Sequence, residues 1–324
     1  MNTTTKLSVI VCTYNPADRS IETCLSALAG QTLDRKHYEL IVVDNNSPKP
    51  LKENVLRRLS GSNLSVVREV RQGLVYARCG GLYAAKADLL CYVDDDNELS
   101  PNYLETVLKI AEAEPQLGVW GGVCEGRFTR HVGPFQTPWL PHLGVRDMGP
   151  KPLTGAGDSW GPWEPIGAGI CVRRDVANGY AKYVESGEVA GLLGRKGKAL
   201  MSGEDSLLSR VAHLLGYKVG YRPDLHLFHH IADGRLNLNY LARLMEGHGR
   251  SFYQLMNING ETEKPLSHKE IKKEIYSRFL YRCKKEGIRT ALGMRHWDRG
   301  YFLQVQENHG KPAPQTLNDI LIAN

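Results

Sequence analysis

No stretch of this sequence stays apolar for the roughly 18 residues that a membrane-spanning helix needs, which argues against a helical anchor. Cysteine is sparse: there are seven, an odd number, and none lies in a CxxC spacing. Cys12, Cys91 and Cys171 sit inside apolar runs, where Cys behaves as a small buried hydrophobe. Neither a zinc ribbon nor a redox dithiol is indicated, and a reducing compartment is expected. Internal repeats and low-complexity tracts are missing. No GxGxxG follows the first strand, so a dinucleotide oxidoreductase has little support. The opening residues, Met1-Asn2-Thr3-Thr4-Thr5-Lys6, lead straight into an apolar strand without a signal-peptide h-region. The expected location is therefore cytoplasmic, with room for a peripheral contact at the inner face of the membrane.

What is present is an ordinary globular composition, with 42% hydrophobic and 23% charged residues over 324 positions, enough to bury a full core. The net charge of +6 is unevenly placed. Between Arg235 and Gly300 there are 14 Lys or Arg against 7 Asp or Glu, so this region accounts for the whole excess. Such a basic, helix-patterned segment reads either as a solvated face or as a surface drawn to anionic lipid or a lipid diphosphate. No basic–aromatic module for nucleic acid is visible, so none is expected as a partner.

The first hundred residues alternate strand and helix signals. Apolar strands are predicted at Leu7–Cys12, Glu39–Asp44, Leu64–Arg68 and Leu89–Val93, with helical patterns through Ile21, Cys24, Leu25 and Leu28 and through Tyr76, Cys79, Gly80 and Tyr83. Alternation of this kind predicts an α/β fold with a mostly parallel sheet and helices on both faces. Ligands of such sheets bind at the carboxyl ends of the strands. Three of those ends carry Thr13-Tyr14-Asn15, Asp44-Asn45-Asn46 and Asp94-Asp95-Asp96, which would emerge on one edge as a single polar, acidic crevice.

Asp94-Asp95-Asp96-Asn97 is the most informative of these. Three carboxylates at the tip of a buried strand repel one another and lose solvation, so they call for a cation. Oxygen ligands there suit Mg²⁺ or Mn²⁺ better than zinc. A cation of that kind commonly carries phosphate, which makes a nucleotide the first ligand to suspect.

From Gly126 to Gly167 the sequence is rich in Pro and Gly and holds three of the five tryptophans, Trp139, Trp160 and Trp163. A loop of that length with so many aromatics reads as a lid or substrate wall. Trp160 and Trp163 offer faces suited to sugars and amphipathic acceptors. Beyond it, strand character resumes at Ile166–Val172, and Glu204-Asp205 opens an amphipathic helix through Leu207, Leu208, Val211 and Leu214. Two short strands are predicted near Lys218–Tyr221 and Leu225–Phe228, ending in His229-His230. The chain then reads as helices to about Glu286, followed by a weakly patterned tail.

Over about residues 6–235 these motifs, in this order, resemble the family 2 glycosyltransferases, whose fold is GT-A, a Rossmann-like α/β sheet. The resemblance implies that Thr13, Tyr14 and Asn15 hold the base of a donor nucleotide and that Asp44, with Asn46 beside it, contacts uracil or ribose. It implies that Gly73 and Arg78, within Gln72-Gly73-Leu74-Val75-Tyr76-Ala77-Arg78, face the nucleotide; Cys79 stands where the family usually has Asn. Asp94-Asp95-Asp96 corresponds to the DxD element. Asp96 becomes the principal metal ligand, Asp94 a support to the metal, and Asp95 a contact to the ribose. Gly203-Glu204-Asp205 corresponds to a pair whose Asp is the catalytic base of inverting members, with Glu204 beside the sugar. His229 matches an additional metal ligand of some members, a role His226 and His230 fit less well. The Gln-x-x-Arg-Trp signature of processive members is absent, implying transfer of one sugar at a time.

The resulting expectation is a metal-dependent, inverting, non-processive transferase. It would move one sugar from a nucleotide sugar, UDP-linked by preference, to a glycan or lipid-linked acceptor in polysaccharide assembly. Residues 1–234 would form the catalytic domain, with 126–167 as lid or acceptor wall, and 235–324 a basic helical extension. The alternatives are a silent sugar-nucleotide or glycan-binding relative and a sugar nucleotidyltransferase. The latter usually carries a Gly-rich, Arg-containing loop where Thr13-Tyr14-Asn15-Pro16 stands here.

Overall fold

The computed structural model describes residues 5–60, 63–187, 193–195, 200–312 and 314–322. The chain divides into two compact units: Met1–Arg127, Gly144–Val184 and Glu204–His230 form the first; Phe128–Leu143, Glu185–Gly203 and Ile231–Asn324 form the second.

The first unit is built on a sheet whose opening strands are apolar almost without interruption. β1 (Leu7–Thr13) is buried at every position, and β2 (Tyr38–Asp44) and β4 (Leu89–Asp94) at all but one, the pattern of strands covered on both faces. β3 (Leu64–Arg68), at the edge, is less buried. These four run parallel in the order β3-β2-β1-β4. The remaining strands enter antiparallel: β8 (Ile170–Arg173) on β4, β6 (Leu117–Phe128) on β8, and both β5 (Asn97–Leu99) and β7 (Leu153–Gly155) on β9 (Lys218–Ile231). The sheet is thus mixed, with its parallel half confined to the stretch where strands and helices alternate. β6, β7 and β8 follow one another without an intervening α-helix, and antiparallel pairing needs no crossover.

Helices α1 (Asp18–Ala29), α2 (Glu53–Ser60), α3 (Leu74–Ala84), α4 (Tyr103–Ala113), α5 (Arg174–Glu185) and α6 (Glu204–Leu214) complete this unit. α1 buries the periodic set Ile21, Cys24, Leu25 and Leu28. In α3 the face against the sheet is that of Ala77, Arg78, Cys79, Gly81 and Leu82, and Tyr83 is exposed. The rotation follows from Gly81, where a Cβ would lie 2.3 Å from Ile10 Cγ2; only glycine permits that approach. The two short strands expected around Pro223 are one strand, β9. Its first half pairs with β7 (Leu153↔Tyr221 to Gly155↔Val219) and its second with β5 (Asn97↔His229 to Leu99↔Leu227). Pro223 falls where the strand changes partner from β7 to β5.

The second unit is helical: α7 (Leu238–Ile258), α8 (His268–Lys285), α9 (Ile288–Asn308) and α10 (Leu317–Ile322). The segment expected as a weakly patterned tail is therefore mostly the 21-residue helix α9. Its apolar period is faint because it meets α7 through glycines. A Cβ on Gly249 would lie 2.0 Å from the Trp297 carbonyl oxygen, and one on Gly300 2.0 Å from that of Glu246. The buried face of α9 also includes Asp298, held by Arg278 and Arg282 of α8. No described helix is long and apolar enough to cross a membrane. All seven cysteines are free thiols.

Candidate active site

The strand ends meet as the alternation predicts. Thr13 stands opposite Asp44, and Cys12 opposite Asp94, so β1, β2 and β4 deliver their polar residues to one edge of the sheet. The chain turns away through two asparagines in the left-handed region, Asn15 (φ 47°) and Asn46 (φ 62°), which tolerate it better than other side-chain-bearing residues. The Asn15 N–H donates to Ser47 Oγ at 2.8 Å. Asp44 is buried; its Oδ1 accepts from the Ser47 N–H at 2.9 Å and its Oδ2 from Arg68 Nη1 at 3.1 Å. Arg68 also donates to Asn46 Oδ1 at 3.1 Å, and Tyr14 stands exposed beside this turn.

Asn45, which the sequence reading left without a role, fixes the entry to α3. Its Nδ2 donates to the Arg71 carbonyl at 2.8 Å while its Oδ1 accepts from the Gly73 N–H at 2.8 Å. Gly73 has φ 142°, a conformation that favours glycine, and precedes the first turn of α3.

At the tip of β4 the acidic run is tied down on several sides. Thr13 Oγ1 donates to Asp95 Oδ2, and Ser20 Oγ to the Asp95 carbonyl at 3.2 Å. Asn97 accepts the Asp94 N–H at 3.2 Å and donates to Asp96 Oδ1 at 3.2 Å. Asp96 Oδ2 lies 3.2 Å from His229 Nε2, and the Asp96 carbonyl accepts from the His230 N–H at 2.9 Å. The β5–β9 register, which sets Asn97 opposite His229, makes this meeting. His230 and His226 are engaged elsewhere, on Glu98 (2.7 Å) and Glu125 (3.4 Å). The carboxylate oxygen of this pair suits Mn²⁺ or Mg²⁺, and the imidazole nitrogen beside it favours a transition ion such as Mn²⁺ over Mg²⁺. Among the described residues no group of three or more His, Cys, Asp or Glu is arranged to hold an ion, so the protein would offer this pair and leave other positions to ligand or water.

Arg78 lies beneath the site. It is 1% exposed, its Nη2 is 3.7 Å from Glu204 Oε1, and its guanidinium stacks 5.6 Å from the Tyr92 ring centre. Burial works against its charge, but Glu204 foremost, with Asp94 and Asp205, outweighs that and raises its pKa. Asp205, in the first turn of α6, accepts the Gly167 N–H on Oδ2 at 3.0 Å and the Ser206 N–H on Oδ1 at 2.9 Å. A Cβ on Gly167 would fall 2.6 Å from Arg78 Nη2, so this glycine lets Arg78 and Asp205 share one backbone contact.

The two loop tryptophans differ. Trp160 is 44% exposed; its Nε1 donates to Ser206 Oγ at 3.1 Å and Arg210 lies 4.7 Å from its ring centre, which leaves the indole beside Asp205. Trp163 packs against Gly155 and Gly161, whose Cβ atoms would collide with its ring at 2.1 Å and 2.4 Å. The sequence reading also missed the buried pair Glu164–Arg210 (Oε1 to Nη1, 3.4 Å). Burial pushes the Glu164 carboxyl up to about 7 despite the opposing pull of Arg210, and Asp205 adds to the rise. The available signal was a charged residue inside a buried stripe: Arg210 falls among Leu207, Leu208 and Val211 on α6.

Four comparisons with known proteins bear on the chain. The family model for glycosyl transferase family 2 matches residues 8–177. The glycosyltransferase AglE of Haloferax volcanii is 34% identical over 102 residues, covering 31% of this chain and 33% of AglE. The succinoglycan biosynthesis protein ExoM of Rhizobium meliloti is 25% identical over 261 residues, 77% of this chain and 76% of ExoM. The crystal structure of S. aureus TarS superimposes with a TM-score of 0.50 at 15% identity, over 93% of this chain and 55% of TarS. That last likeness concerns the fold. The match to AglE spans about a third of that relative's length.

Proposed function

The chain belongs to glycosyl transferase family 2, and from that premise we propose that it moves a single sugar from a nucleotide sugar, UDP-linked by preference, to a hydroxyl of a glycan or lipid-linked acceptor. ExoM, a relative over most of its length, acts in succinoglycan biosynthesis, which supports a role in polysaccharide assembly. The observation that carries the reading is the convergence of Thr13, Asp44 and Asp94–Asp96 on one sheet edge, with His229 brought to Asp96.

In this reading Asp44 and the Asn15 and Asn46 turns receive the base and ribose, and Asp95, fixed by Thr13, borders the ribose. Asp96 and His229 would hold Mn²⁺ or Mg²⁺ through Oδ2 and Nε2. Such an ion supplies Lewis-acid stabilisation of the leaving diphosphate, worth several kcal/mol. Asp205 takes the proton of the acceptor hydroxyl, a step worth about 10²- to 10⁴-fold when a carboxylate is well placed. Its two N–H bonds fix the carboxylate's orientation and leave lone pairs for that proton. Attack opposite the diphosphate inverts the anomeric carbon. Trp160 provides the aromatic face for a sugar ring, and Glu204 is held against Arg78.

The test is release of nucleoside diphosphate from UDP-, GDP- and dTDP-sugars with Mn²⁺, with Mg²⁺ and with EDTA, for the wild type and Asp205→Asn. Turnover of one donor that needs the metal and falls at least about a hundredfold in the variant is expected. Metal-independent turnover, or an unaffected variant, would overturn the assignment.

A further inference from the structure

Helix α8 carries seven basic residues against two acidic ones, and none of its side chains is fully buried. The two sides of the helix are used differently. Inward, Ile271 and Ile275 pack on the cluster of Tyr253, Tyr301, Phe302 and Val305. Arg278 and Arg282 also turn inward, both bound to the buried Asp298. The two acids are likewise committed. Glu270 closes the capping box with Ser267, and Glu274 pairs with Arg278 at 2.8 Å.

The outward side is left with one sign of charge. Lys269, Lys273, Tyr276, Leu280 and Lys284 recur at spacings of four, three, four and four, which places them on one face. All five are exposed; Tyr276 is 63% and Leu280 44% accessible. Lys272 flanks the stripe, and none of these four lysines has an acidic partner among the described residues. The exposed aliphatics Ile288 and Leu292 follow past the Gly287 turn.

The geometry points to this stripe as the docking surface for an anionic lipid bilayer. An apolar centre ringed by lysines is complementary to such an interface. Tyr276 and Leu280 enter the headgroup–acyl boundary, and the lysine stems lie along it with their ammonium groups at the lipid phosphates. A nucleic-acid backbone would use the lysines but would gain nothing from Leu280. This inference needs only the second unit and holds whatever donor the first unit uses.

The experiment is co-sedimentation of the full chain with phosphatidylcholine vesicles, with and without phosphatidylglycerol. Binding should require the anionic lipid and weaken as salt is added. Charge reversal at Lys269→Glu, Lys273→Glu and Lys284→Glu together should cost at least about a hundredfold in partitioning. Tyr276→Ser with Leu280→Ser should cost about tenfold and leave the salt dependence in place. All five positions are exposed, so an unchanged thermal transition should accompany both variants. Failure of the wild type to bind, equal binding to pure phosphatidylcholine, or wild-type binding by both variants would overturn the proposal. So would displacement of the vesicles by duplex DNA together with an unaffected Tyr276→Ser/Leu280→Ser variant.

Discussion

Asp96 Oδ2 and His229 Nε2 stand 3.2 Å apart although 133 positions separate them in the chain. The contact depends on β5, a strand of three residues, lying antiparallel to β9 so that Asn97 faces His229. If this pair holds the metal, Asp96→Ala should lower metal-dependent turnover by about 10²- to 10³-fold, the several kcal/mol a Lewis acid supplies. His229→Ala should shift the Mn²⁺ response to higher concentration. A Mn²⁺ titration of donor turnover checks both, and an unchanged curve in either variant would remove that residue from the site.

The meeting of the three strand ends was legible in the sequence. β1, β2 and β4 announce themselves by unbroken apolar runs, and the rule that ligands meet the carboxyl ends of parallel strands then places Thr13, Asp44 and Asp94 together. The rest of the arrangement depends on contacts no local pattern encodes. Asn97-Glu98-Leu99 is too short to show alternation, and Arg222-Pro223-Asp224 breaks the signature of β9, so their register was invisible. The Glu164–Arg210 pair joins two segments 46 residues apart. α9 hid for a different reason: its contact with α7 uses Gly249 and Gly300 in place of large apolar residues.

Gly167 sits where any side chain would press on Arg78, since its Cβ would lie 2.6 Å from Nη2. Gly167→Ala should therefore shift the backbone N–H that Asp205 accepts, lowering kcat by about 10- to 100-fold while the fold survives. Steady-state kinetics beside a thermal melt makes the check; full activity would show that Asp205 does not depend on this contact.

Arg78 is fully buried against Glu204, so its loss removes a charge that faces a buried carboxylate. Arg78→Leu should cost about 3 kcal/mol of unfolding free energy or more. Urea denaturation would measure it, and a loss below about 1 kcal/mol would mean that Glu204 relaxes to another partner.

Glu164 gives a pH signature. Its carboxyl is raised by burial to about 7 from an ordinary 4.5, so between those values the folded chain holds a proton that the unfolded chain has released. The stabilisation is complete below about pH 4.5 and lost as pH rises to about 7, amounting to a few kcal/mol. Glu164→Gln removes the titration. Wild-type stability should decline relative to the variant between pH 5 and pH 8, by urea melts at each pH. Parallel pH profiles would show that Glu164 stays ionised throughout.

A metal-dependent nucleotide-sugar site is proposed at the carboxyl edge of the sheet. Calorimetric titration of UDP and its sugar conjugates into the protein, with Mn²⁺ and with EDTA, is the decisive measurement. Binding of one donor should strengthen with Mn²⁺ in the wild type and show no such gain in Asp96→Ala. Equal affinity with and without metal, or a gain that survives in Asp96→Ala, would contradict it.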